Sequence, residues 1–249
     1  MRLSYNEIST IVSNVHKFFG YNSKVYLFGS RTDDNKKGGD IDLYIEPENI
    51  NNESQLINYL LVELENNLGE QKIDIVLKKD DKRLIEIEAK EKGIELDLNK
   101  IKIDKYFKEC DKHIQRIEES FEDIKNIIPI NSTTYLKLSK DEVQAIDQYI
   151  FRFSKLQDTL GEKIFKLLIE EFMPTNELVT FIDKLNMLEK LGFINSVKEW
   201  QNLRKIRNEI AHQYDDEPDE MSQSINNIIN QKDIIKNIYI NLKKKYYGK

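Results

Sequence analysis

Apolar positions recur at helical spacing from the start of the chain. Ser4-Tyr5-Asn6-Glu7 forms a capping-box pattern, Ile8, Ile11, Val12, Val15 and Phe18 follow on one face, and Gly20 is the stop. The spacing changes at Lys24 to Phe28, which predicts a strand, and again at Ile41 to Ile45, which predicts a second. A helix is expected from Glu53 to Leu68, ending at Gly69, then a third strand from Lys72 to Leu77 and a short helix from Asp81 to Lys92. Strands separated by helices and one Gly-containing loop predict a small α/β or α+β unit over residues 1–103.

Beyond residue 103 the strand signals stop. Helical periodicity runs from Asp104 to Ile128, ahead of Pro129, and Ser139-Lys140-Asp141-Glu142 opens another helix with Val143, Ile146, Ile150 and Phe153 on one side. Further helices are expected over Glu162–Phe172, Asn176–Leu191, Val197 to about His212, with Ser196 and Glu199 as a capping box, and Met221–Lys245. Helices joined by loops of modest length predict an all-α bundle over residues 104–249. The fold class is therefore α+β, a small mixed-sheet domain followed by a helical bundle.

Composition narrows the setting. With 249 residues, 39% hydrophobic and 33% charged, the chain can bury a core in each of two units. Its net charge of -6 disfavours sequence-blind binding along RNA or DNA, which needs a basic face. No apolar run reaches the ~18 residues of a membrane span. The single cysteine, Cys110, suits a reducing compartment, so the expected location is cytoplasmic, and on its charged helical stretch it is expected to be solvated.

The segment from Phe28 to Leu43 carries the chemistry. Strand alternation places Asp40 and Asp42 on one side, Cα atoms roughly 6.6 Å apart, while Ile41 and Leu43 enter the core. Asp74 repeats the arrangement between Ile73 and Ile75. If its strand lies beside that of Asp42, three carboxylates converge and require a cation. Mg²⁺ takes oxygen ligands and bridges them to phosphates, and two ions can serve both oxygens of an in-line displacement. Gly29 lets backbone approach a phosphate, Ser30 offers an N–H and a hydroxyl, and Arg31 is placed to meet a triphosphate oxygen or to lie along the surface. An Asp-x-Asp alone is commonplace. The joint pattern of strand, Gly-Ser, nine residues, Asp-x-Asp and a third Asp-bearing strand is much more specific.

On these residues the first hundred positions resemble the DNA polymerase β-like nucleotidyltransferases, and within them the minimal nucleotidyltransferases. The resemblance implies triphosphate binding by Gly29 and Ser30, Mg²⁺ binding by Asp40, Asp42 and Asp74, and help from the third aspartate in activating the attacking hydroxyl. It implies a nucleoside triphosphate, ATP first, as substrate.

In the second half, Arg207, Asn208 and His212 share a helical face, and Arg152 and Asp158 suggest a buried or inter-helix pair. An Arg and a His near one helix end suit metal-free phosphodiester cleavage, and equally suit hydrogen bonding within a bundle. Arg152-Phe153-x-x-Leu156-Gln157-Asp158 together with Arg207-Asn208-x-x-x-His212-x-Tyr214 resembles the HEPN helical domains over about residues 104–249. That resemblance implies a ribonuclease site at Arg207 and His212, a homodimer through the helical domain, or a substrate-binding partner for the nucleotidyltransferase. In the toxin–antitoxin pairs it evokes, a tyrosine at the place of Tyr214 is adenylylated. Here the two units are fused, a departure that leaves three acceptors or activities open: a protein tyrosine, a small molecule as in antibiotic nucleotidyltransferases, or RNA cleavage regulated by the first unit.

Overall fold

The computed structural model describes residues 1–80, 82–172, 180–211 and 217–248. His212, Tyr214 and the start expected for the helix at Asn176 lie outside the described residues. The chain divides into two compact units, Met1–Lys102 and Ile103–Lys249, a mixed α+β unit and an all-helical one.

The first unit opens with α1 (Tyr5–Phe19), capped reciprocally by Ser4 and Glu7, with Ile8, Ile11, Val12, Val15 and Phe19 buried. β1 (Lys24–Phe28) and β2 (Ile41–Glu46) pair antiparallel, and β3 (Ile73–Leu77) lies parallel to β2. The parallel pair requires a crossover, which α2 (Glu53–Leu68) provides. α3 (Leu84–Lys92) leads to a two-residue strand, β4 (Ile94–Glu95), which pairs with Tyr26 and Leu27 and completes the order β3-β2-β1-β4. Two residues carry no period, so β4 has no signature in the sequence. One sheet face buries Ile41, Leu43 and Ile45 with Ile11, Val15, Leu60 and Leu64. The other packs Phe28 and Tyr44 with Ala89 of α3.

The second unit is built on α4 (Leu98–Ile124), α5 (Ser132–Tyr135), α6 (Lys140–Asp158), α7 (Phe165–Phe172), α8 (Phe181–Lys190), α9 (Val197–Ala211), α10 (Pro218–Asn230) and α11 (Lys232–Tyr247). A single core joins Tyr149, Phe153, Phe165, Trp200, Leu203, Ile228 and Leu242. Two expectations change here. The helix expected at Glu162 does not start afresh: α6 runs through a π-helical turn, Thr159–Ile164, into α7. Gly161 in that turn is a packing position, not a stop, because a Cβ there would lie 2.9 Å from Cζ2 of Trp200. The helix expected over Met221–Lys245 is two, divided at Gln231. Buried positions at Met221, Ile225, Ile228, Ile235, Ile238 and Leu242 keep helical spacing across the division, so periodicity alone joins the two.

α4 begins at Leu98, ahead of the expected Asp104, and Cys110 on it is fully buried, not solvated. Charged neighbours on the outer face of α4 concealed its inward direction. Among the described residues, no helix is long and apolar enough to cross a membrane.

Burial, with the charges of Asp111 and Glu109 beside it, pushes the Cys110 thiol up to about 12. The thiolate is the reactive form. The native protein at mildly alkaline pH should therefore leave a thiol-reactive disulfide reagent unconsumed, and denaturant should release one equivalent of thiol. Rapid stoichiometric reaction of the native chain would contradict the burial of Cys110.

Candidate active site

The parallel register of β2 and β3 sets Asp42 directly beside Asp74. Asp40 stands two residues before Asp42, just ahead of β2, and the intervening Ile41 is fully buried. Alternation thus sends the apolar side chains to the core and leaves the three carboxylates on the other side. The Asp42 carboxyl is held above the ordinary range, first by burial and then by the charges of Asp74 and Asp40, with Lys72 acting against them.

Lys72 is the group that sequence reasoning missed. Its Nζ lies 2.9 Å from Oδ2 of Asp40 and 2.9 Å from Oδ2 of Asp74. These two carboxylates raise its ammonium well above the usual lysine range. A signal was present, because Lys72 is two residues from Asp74 along an extended chain and so falls on the same side.

The Gly-Ser loop closes on this edge. Phe28, the last residue of β1, is the register partner of Asp42, so the chain leaves β1 next to that carboxylate. Gly29 takes φ 72°, and a Cβ there would lie 2.1 Å from Oδ2 of Asp42. Both the left-handed backbone and the contact demand glycine. Ser30 follows within a 3₁₀ turn, Gly29–Thr32, and a Cβ on Gly38 would meet its Oγ at 2.3 Å. Arg2 braces the loop from outside, donating to the carbonyls of Ser30 at 3.1 Å and Gly38 at 2.9 Å.

Arg31 bonds to the loop itself. Its guanidinium donates to the carbonyl of Gly39 from Nε at 3.0 Å and Nη2 at 2.5 Å, and to Oε1 of Gln71 at 3.0 Å. Nη1 lies 3.7 Å from Glu7. The side chain is 14% exposed and ties the two ends of the loop together.

Among the described residues, no three His, Cys, Asp or Glu side chains stand in ready metal-ligand geometry. The donor chemistry nevertheless suits a hard divalent cation, since Asp40, Asp42 and Asp74 offer only carboxylate oxygens. An ammonium group stands where two of them already meet a positive charge.

In the helical unit, Arg207 donates through Nη2 to Oδ1 of Asp158 at 2.7 Å and through Nη1 to Oδ1 of Asn208 at 3.1 Å. Asp158 thus joins Arg207 of α9. It does not pair with Arg152, which stands six residues earlier on α6, where 3.6 residues per turn places the two about 120° apart. Arg152 instead lies over the Phe151 ring.

Residues 7–127 match the family model of the nucleotidyltransferase domain. No curated protein and no solved structure matches the chain. The matched stretch includes the loop, Asp40, Asp42, Lys72 and Asp74, and supports general nucleotidyl transfer with a nucleotide as substrate.

Because Lys72 holds the carboxylates that a divalent cation would use, replacing it should favour the cation. In Lys72→Met, apparent Mg²⁺ affinity should tighten roughly two- to fivefold, the scale of an exposed ion pair. Thermal unfolding with and without Mg²⁺ reads this without any assay of activity. An equal or smaller Mg²⁺-induced rise in the midpoint of the variant would contradict competition.

Proposed function

We propose that the first unit transfers a nucleoside monophosphate, AMP from ATP, to a hydroxyl acceptor and releases pyrophosphate. The observation that carries this reading is the β2–β3 register, which joins Asp42 to Asp74 beside the Gly29–Ser30 loop. Asp40, Asp42 and Asp74 are the residues to hold Mg²⁺, two ions in the full reading, and Gly29 and Ser30 to hold the triphosphate. Bound there, Mg²⁺ would supply positive charge to the phosphate oxygens and lower the pKa of the attacking hydroxyl.

The chain's own residues have separable roles. Gly29 keeps the loop backbone close to Asp42, and the Ser30 N–H and hydroxyl donate to phosphate oxygens. Asp74 accepts the acceptor's proton as its oxygen bonds to the α-phosphorus and the bond from that phosphorus to the α–β bridging oxygen breaks. The electron pair leaves with pyrophosphate. Arg31 and Arg2 keep the loop in shape, so their loss should weaken triphosphate binding indirectly.

For the helical unit, a HEPN-like role in presenting the acceptor is favoured over RNA cleavage. Asp158 already neutralises Arg207, leaving less positive charge for a developing phosphorane. The net charge of -6 also opposes RNA. Tyr214 as a protein acceptor and an antibiotic-type small molecule are the two arms to separate.

Incubation with labelled ATP and Mg²⁺, followed by intact-mass measurement, distinguishes them. Modification of the chain should add roughly 329 Da per AMP and should disappear in Tyr214→Phe. A small-molecule acceptor leaves the mass unchanged and carries the label into the filtrate once a hydroxyl compound is supplied. In either case Asp42→Asn should lower transfer at least about a hundredfold while unfolding as cooperatively as wild type. Undiminished transfer by Asp42→Asn would remove this carboxylate from the mechanism.

A further inference from the structure

The helical unit contains a pocket that the nucleotidyl-transfer chemistry does not use. It has a volume of about 410 Å³ and lies between the π-helical turn, α8 and α9. Its size is within the range of sites for small organic ligands.

Two of its wall residues carry buried donors without acceptors. Gln157 is 4% exposed and Trp200 is 1% exposed, and neither Nε2 of the first nor Nε1 of the second has a hydrogen-bond partner among the described residues. A buried donor left unpaired costs about 1–3 kcal/mol, so each marks a place where an acceptor atom would be stabilised. Both residues line the pocket. Gln157 is the last residue but one of α6, and the π-helical turn begins two residues on. Trp200 is fixed between Gly161, which leaves no room for a Cβ, and Phe165, whose ring centroid is 4.7 Å away. π-helical turns inside α-helices recur at functional sites.

The remaining lining defines the ligand. Phe165, Phe181 and Leu185 offer apolar surface for a flat body. Arg204 lies over the Phe181 ring at 4.6 Å and forms no ion pair with a described residue, and Lys184 is likewise without a carboxylate among the described residues. Lys166 reaches only Glu170, at 3.8 Å. With Asp158 committed to Arg207, Glu162 is the one remaining acidic residue among those lining the pocket. Acceptors are wanted at the wall, apolar contact along the sides and negative charge at the mouth.

We propose that this pocket binds a planar organic anion, an aryl or heteroaryl group carrying a carboxylate or phosphate. Its acceptor atoms meet Trp200 Nε1–H and Gln157 Nε2–H, its flat body lies against the aromatic side chains, and its charge faces Arg204 and Lys184. The pocket is independent of the carboxylate edge in the first unit and needs no metal.

Trp200 is the only tryptophan of the chain, so the ¹⁵N–¹H spectrum contains one indole resonance, and it reports on the proposed donor directly. The full-length protein in EDTA is titrated separately with AMP, salicylate and inorganic phosphate. AMP, salicylate or both should move the indole resonance downfield and saturably, with a dissociation constant of about 1 mM or tighter. The arm that acts tells whether a nucleotide or an aromatic carboxylate is the better fit, and phosphate alone should have no such effect. Gln157→Leu, which removes one unpaired donor without burying a new one, and Arg204→Gln, on the pocket rim, should each weaken binding about tenfold. Asp42→Asn should bind as wild type does, separating this pocket from the nucleotidyl-transfer site. An indole resonance unmoved by both aromatic anions would mean that no ligand atom reaches the donors and would overturn the proposal. So would equal saturation by inorganic phosphate, or unchanged affinity in both Gln157→Leu and Arg204→Gln.

Discussion

Electrostatic repulsion among Asp40, Asp42 and Asp74 is the constraint around which the first unit is organised. The parallel pairing of β2 and β3 forces two of these carboxylates into adjacent register positions, and alternation brings the third to the same side. Like charges so placed destabilise one another unless a cation intervenes. Lys72 supplies a cation here, reaching Asp40 and Asp74 together. The hydrophobic core supplies the counterweight: Ile41, Leu43 and Ile45 are fully buried on the opposite face of the same strand, so the register cannot slip to relieve the repulsion without exposing them.

The loop after β1 is shaped by the same edge. Its glycine is required by a positive φ and by the carboxylate of Asp42 at its side. The two arginines near it act on the backbone. Arg2 and Arg31 donate to carbonyls at Ser30, Gly38 and Gly39, converting a glycine-rich stretch into a defined turn. The guanidinium donors serve loop carbonyls that would otherwise depend on solvent.

Much of this was legible in the sequence. β1 and α2 have their expected bounds, and the caps at Ser4 and Ser139 form as their Glu partners at the third helical position foretell. Asp40, Asp42 and Asp74 gather because they interrupt apolar strands at fixed phase. What escaped had no local signal or a misleading one. β4 is too short for a period, and the division at Gln231 leaves the apolar spacing intact. The run of α6 through the π-helical turn escaped because the packing of Gly161 depends on Trp200, far along the chain. The partner of Asp158 comes likewise from another helix. Long-range partners of this kind are set by packing, which a one-dimensional pattern does not encode.

The central claim is the proposal that the Asp40–Asp42–Asp74 edge is a divalent-cation site whose repulsion Lys72 partly offsets until the cation arrives. Anomalous diffraction from crystals grown with Mn²⁺ and a non-hydrolysable ATP analogue tests it most directly. The account predicts an anomalous peak among the three carboxylates, the triphosphate against the Gly29–Ser30 loop, and Lys72 withdrawn from Asp40 and Asp74. Nucleotide bound in the loop with Lys72 still bridging the two aspartates and no anomalous peak between them would contradict it.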